Sequence, residues 1–143
     1  MKIQEIMKAL PHRYPFLLID RITKVEDEKR AFGFKQLSMN EEFFQGYLPD
    51  APQMPPTLLC ESMAQMGAAV VMNKPESEGK YILFGALDKA MFQRNAVPGE
   101  RLDMEAEMLN LRKGAGKTRV ICRVAGEEIA RADFMFAIVD GVN

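Results

Sequence analysis

The chain has 143 residues and a mass of 16.2 kDa, the size of one domain able to bury roughly 68% of its unfolded surface with no disulfide or metal staple. Nineteen Lys and Arg stand against twenty Asp and Glu, a formal net charge of −1, which excludes the basic excess that a nucleic-acid binder uses to release phosphate counterions. Cys60 and Cys122 have neither framework nor metal-ligand spacing, and a lone histidine, His12, excludes any site built on two imidazoles.

The opening MKIQEIMKALPHRYPF is too charged for a secretory leader, and no run has the length of a membrane span. The expectation is a cytoplasmic globular chain, one unit over residues 1–143, with reduced thiols. Residues 2–9 read as a short helix stopped near Pro11. FLLIDRITKVEDEKRAFGFKQLS then reads as two strands around a charged turn from Glu26 to Lys29. NEEFFQGYLPDAPQMPP is expected to be irregular, because its prolines break any helix that enters it.

Thr57 to Asn73 is the one long helix, with Leu59, Met63, Met66 and Val70 as an apolar stripe. Pro55 and Pro56 stand where missing N–H groups do little harm, and Gly67 allows a close neighbour. After the turn KPESEGK, the apolar run YILFGAL has the length of a buried strand. RLDMEAEM alternates Leu102, Met104, Ala106 and Met108 against acidic residues, and TRVICRVA alternates Val120, Cys122 and Val124 against Arg119 and Arg123. KGAGK and a turn at Gly126 join consecutive strands, which predicts an antiparallel sheet ending in EIARADFMFAIVD. One buried helix and about six strands make an α+β domain with the helix in the sheet's concave face.

PHRYPFLLIDRI, FFQGYLPDAPQMPPTLLCESMAQ and MFQRNAVPGERL occur in that order within a similarity running from about Ile6 to Val139. They resemble the three signature stretches of the (3R)-hydroxyacyl-[acyl-carrier-protein] dehydratases, hotdog-fold enzymes of bacterial fatty-acid synthesis. The resemblance implies a hotdog dimer, or an oligomer of dimers, whose two sheets join. Each site then lies at the dimer interface, with a histidine from one subunit and a carboxylate from the other. The implied substrate is an acyl thioester on acyl carrier protein or CoA, its chain in an apolar tunnel beside the helix. No cofactor, metal, nucleic acid or membrane insertion is implied.

Dehydrating a 3-hydroxyacyl thioester needs a base for the C2 proton, an acid for the departing hydroxyl and a donor for the enolate oxygen. By resemblance the helix carboxylate is Glu61, and Gln65 lies one turn further along the same face. The histidine of the family's FQGHFP is replaced by Tyr47 in FQGYLP, at the family's own spacing from Glu61. The helix-start glycine, whose N–H polarises the thioester, is replaced by Pro56, which has no N–H. A positioned base is worth about 10²–10⁴-fold and one oxyanion donor about 10²–10³-fold, so both replacements bear on turnover. A phenol is a donor or acid at neutral pH and no base.

The expected catalytic groups are therefore Glu61 and Tyr47, and the expected substrate-binding set is Gln65, Pro56, Met54, Phe84 and Gly85. Four functions remain open: a dehydratase using Glu61 with Tyr47 assisting, a non-catalytic acyl-thioester binder, a heterodimer partner of an intact dehydratase, and an acyl thioesterase in which Glu61 activates water. Tyr47 also reads as a residue that only fills the histidine's space. His12 reads as structural, Cys60 as a buried inert thiol, and most methionines as core. Arg112, Lys113, Lys117, Arg119 and Arg123 read as a solvated hairpin rather than a dock for an acidic carrier protein.

Overall fold

A computed structural model describes residues 1–141, so the last two positions of the expected 1–143 unit lie outside the described residues. Six antiparallel strands form one sheet in the order β1-β2-β4-β5-β6-β3, the strands being β1 Arg21–Glu26, β2 Arg30–Gln36, β3 Lys80–Phe92, β4 Arg101–Arg112, β5 Ala115–Val124 and β6 Glu127–Asp140. Helix α1, Ile3–Ala9, and a single turn α2, Phe43–Gly46, precede the long helix α3, Pro56–Met72. The sheet wraps α3, which is the hotdog arrangement expected.

Every α3 residue from Ser62 to Met72 is buried. An all-round apolar helix of this kind has to be enclosed, because no face of it is polar enough for water. Gly67 faces the sheet closely: a Cβ there would meet Thr118 Cγ2 at 3.2 Å and Val120 Cγ2 at 3.5 Å. Alternation along β4 and β5 holds as expected, with Leu102, Met104, Ala106, Val120, Cys122 and Val124 packed inward.

Three segments differ from expectation. β1 begins only at Arg21, and Phe16–Asp20 is irregular because side chains of α3 take its backbone groups. The segment expected to be irregular admits the one turn of α2, which ends before Pro49. YILFGAL is no buried strand. It lies in β3 at the sheet's edge, with Leu83 58% and Leu87 47% exposed. The run is apolar, but among the described residues no strand pairs with that edge.

The convex face is laced with ion pairs. Asp133, only 1% exposed, accepts from Arg119 Nε at 2.7 Å and Arg119 Nη2 at 3.0 Å. Lys117 Nζ lies 3.3 Å from both Asp133 and Asp88, and Arg123 donates to Glu105 at 3.2 Å. The Arg119 hydrogen bond holds the Asp133 carboxyl below its ordinary range. Three of the five basic residues considered for carrier docking are thus paired within the chain.

Gly33 sits where β1, β2 and α3 converge, and a Cβ there would lie 2.5 Å from the Arg21 carbonyl oxygen and 3.0 Å from Met66 Sδ. Gly33→Ala is expected to lower stability by about 1–3 kcal/mol, read as a drop in the thermal midpoint.

Candidate active site

The site is organised by one buried amide. Gln65, 1% exposed on α3, accepts the Leu18 N–H at 2.7 Å through Oε1. Its Nε2 donates to the Phe16 carbonyl at 2.7 Å and to Glu61 Oε1 at 2.9 Å. Ser62, next to Glu61, donates through Oγ to the Leu18 carbonyl at 2.7 Å. A buried amide left unpaired costs several kcal/mol, so the chain from Phe16 to Leu18 is drawn onto the helix.

The turn before it is fixed from the other end. Arg13 donates to the carbonyls of Met7, Leu10 and His12 at 2.7–2.9 Å, closing the exit of α1. The rings of His12 and Phe16 then stack, tilted, with centroids 5.4 Å apart. As a result His12 hangs beside Glu61, with Nε2 3.8 Å from Oε1 and both side chains 26% exposed. The pair opens into a cleft of about 210 Å³ whose walls include Phe16, Gln65, Ala68 and Phe84. Phe84, on β3, is held edge-on to Phe134 at 5.5 Å.

Electrostatics follow from this placement. Burial pushes the His12 imidazole below its ordinary value, the Glu61 charge pulls partly back, and Arg13 adds to the lowering. The Nδ1 of His12 is buried and has no hydrogen-bond partner. Burial, with Glu61 adding to it, raises the half-buried Cys60 thiol, and Cys122 is pushed up to about 12. Neither cysteine has the thiolate character of a nucleophile. Among the described residues no group of three or more His, Cys, Asp or Glu is arranged to hold a metal ion.

Of the expected site residues, Glu61, Gln65 and Phe84 come together at this cleft, while Tyr47, Met54, Pro56 and Gly85 do not line it. Tyr47 is half-buried just past α2. Met54 is fully buried in the core, its N–H donating to the Ala96 carbonyl at 2.8 Å. Pro56 opens α3, and the N–H groups of Leu58 and Leu59 both turn back to the Pro55 carbonyl, at 2.9 and 3.0 Å. Gly85 is exposed in a bulge of β3, without a register partner between Phe84 and Ala86. The residue that the sequence reading did not place here is His12. Its only signal was its position in PHRYPF, far from Glu61 along the chain.

A sheet wrapped around one buried helix is the hotdog architecture, and here a carboxylate and a glutamine one turn apart on that helix line its cleft. The model of the FabA-like domain family matches residues 10–133, and the chain belongs to that family. Curated relatives place it with the FabZ type. It is 44% identical to the 3-hydroxyacyl-[acyl-carrier-protein] dehydratase FabZ of Halalkalibacterium halodurans over 138 residues, 96% of this chain and 99% of that one. It is 46% identical to the FabZ of Pelotomaculum thermopropionicum over 138 residues, with the same coverage of 96% and 99%.

Solved structures share the fold at low identity. The dehydratase heterocomplex ApeI:P from Xenorhabdus doucetiae aligns with a TM-score of 0.80 at 16% identity, over 94% of this chain and 91% of that one. A hypothetical thioesterase with coenzyme A from Streptococcus pneumoniae aligns with a TM-score of 0.65 at 12% identity, over 86% and 88%.

Replacing Gln65 by Met keeps the volume and strips the Leu18 N–H of its buried acceptor. Gln65→Met is expected to cost about 1–3 kcal/mol and to speed hydrogen exchange at Leu18. An unchanged Leu18 amide would contradict this role.

Proposed function

We propose that this chain is a cytoplasmic (3R)-hydroxyacyl-thioester dehydratase of lipid synthesis that works as a dimer, with Glu61 as its main acid/base group and Tyr47 assisting. The observation that carries the reading is Glu61 itself, aimed into the cleft by the Gln65 amide at 2.9 Å. The Glu61 carboxylate takes a proton from C2, and that electron pair becomes the C2–C3 double bond. The C3–O bond breaks, and the proton held by Glu61 goes to the departing hydroxyl, so that water leaves and Glu61 is restored. Tyr47, a phenol donor, steadies the hydroxyl from across the subunit contact.

The dimer is supported by β3. A thirteen-residue edge strand with exposed Tyr81, Leu83, Phe84, Leu87, Met91 and Phe92 is the kind of edge that proteins ordinarily blunt or pair. Pairing it with the β3 of a second copy covers these side chains and roofs the cleft that Phe84 already lines. An acyl chain carried on a phosphopantetheine arm, from acyl carrier protein or CoA, fits a cleft with aromatic walls and one carboxylate.

A second reading, an acyl-thioester binder without turnover, is favoured by the start of α3, where Pro56 has no N–H and Leu58 and Leu59 have theirs occupied. Hydration of a short trans-2-enoyl thioester separates the two. The dehydratase reading expects turnover in the parent and a loss of about 10²–10⁴-fold in Glu61→Gln. A silent parent alongside an active Tyr47→His/Pro56→Gly double variant establishes the binder instead. Leu83→Asp, which places a charge on the open edge, is expected to give a monomer by sedimentation and to remove turnover. A Leu83→Asp chain that stays dimeric contradicts the proposed contact.

A further inference from the structure

The proposed chemistry lacks one part: a donor for the thioester oxygen, since Pro56 has none to give. His12 stands in the same cleft as Glu61, with Nε2 3.8 Å from Oε1. We propose that His12 is a catalytic residue of this chain, its Nε2–H donating to the thioester carbonyl oxygen while Glu61 takes the adjacent C2 proton. The inference rests on the reading of Glu61 given above.

The geometry supplies the argument. The separation of Nε2 and Oε1 is too long for a good direct hydrogen bond, which leaves room for a substrate carbonyl beside Nε2 and its own C2 beside Oε1. Oxyanion donors act from about 2.7–3.1 Å, and both residues line one cleft. The tautomer follows from burial. Nδ1 is enclosed with no acceptor, so a proton there would be an orphaned donor. The proton sits at lower cost on Nε2, facing the carboxylate and the cleft.

Titration agrees with that assignment. The charged groups acting on the imidazole are Glu61 from α3 and Arg13 from its own turn, and Tyr81 of β3 lines the same cleft. Burial lowers the imidazole's pKa more than Glu61 raises it, so His12 is neutral at neutral pH. A neutral imidazole polarises a carbonyl without giving up its proton. The ring is also pre-set, stacked on Phe16 and carried by a turn that Arg13 ties to α1. Gly85, in the bulge of β3, is not part of this cleft's wall. As C2 loses its proton to Glu61, charge gathers on the carbonyl oxygen under Nε2–H. It then flows back to form the double bond as the hydroxyl leaves.

Because His12 is the sole histidine, ¹⁵N-histidine NMR of the intact chain reads this group alone. The expected spectrum is a neutral Nε2–H imidazole. In Glu61→Gln its titration moves to lower pH, since the carboxylate's charge is what opposes burial. Adding a short trans-2-enoyl pantetheine thioester shifts the Nε2 resonance. Kinetically, His12→Phe is expected to lower kcat by about 10²–10³-fold with KM within a few-fold and the melting point unchanged. His12→Gln, which keeps an N–H donor, recovers part of the loss.

A His12→Phe chain with full kcat overturns the inference while leaving the Glu61 reading intact. An Nδ1–H tautomer that the thioester does not perturb overturns it as well. If the parent turns nothing over, the dehydratase reading fails by itself and the NMR titration decides for His12: a shifted Nε2 supports the contact, and an unshifted one removes it.

Discussion

The buried amide of Gln65 is the constraint on which the site depends. Of the four hydrogen-bonding positions on a carboxamide, three are filled: the Leu18 N–H, the Phe16 carbonyl and Glu61 Oε1. A polar side chain in the enclosed stretch of α3 from Ser62 to Met72 has to find these partners or lose stability. By finding them it draws the N-terminal turn onto α3 and aims the carboxylate. His12 reaches the cleft only because Phe16, four residues on, is tied down. One amide therefore ties down both Glu61 and the turn that carries His12.

Much of the architecture was legible in the sequence because it follows from periodicity. Arg101–Glu107 of β4 alternates charged and apolar residues, and the sheet buries Leu102, Met104 and Ala106 there and Val120, Cys122 and Val124 on β5. α3 was legible from its stripe and its prolines, its observed bounds of Pro56–Met72 differing by one residue at each end. What was not legible depends on partners distant in sequence. The apolar run of β3 carries no mark of strand order, and only the fold shows it at an edge. Phe16–Asp20 has strand composition, yet Ser62 and Gln65 take the backbone groups that a ladder would use.

The site divides along the same line. Glu61 and Gln65 share a helix face by spacing alone, so their meeting was readable. Phe84, on β3, lines the same cleft. Met54, expected among the substrate-binding residues, is enclosed in the core, a setting that methionine suits as well as a binding surface. His12 appeared structural because nothing local links PHRYPF to the helix. Its closeness to Glu61 is a tertiary fact. The near-zero net charge likewise concealed how the charges are arranged, with Asp133, Arg119 and Lys117 closed on one another across the convex face.

The central claim is that an acyl thioester lies with its carbonyl at His12 and its C2 at Glu61. A crystal structure of the chain with an unreactive 3-hydroxyacyl pantetheine amide tests this directly. The account predicts the carbonyl oxygen within hydrogen-bond reach of His12 Nε2, C2 facing Glu61, and the apolar chain running past Phe84. A carbonyl held by a backbone amide elsewhere, with His12 facing no part of the ligand, would contradict it.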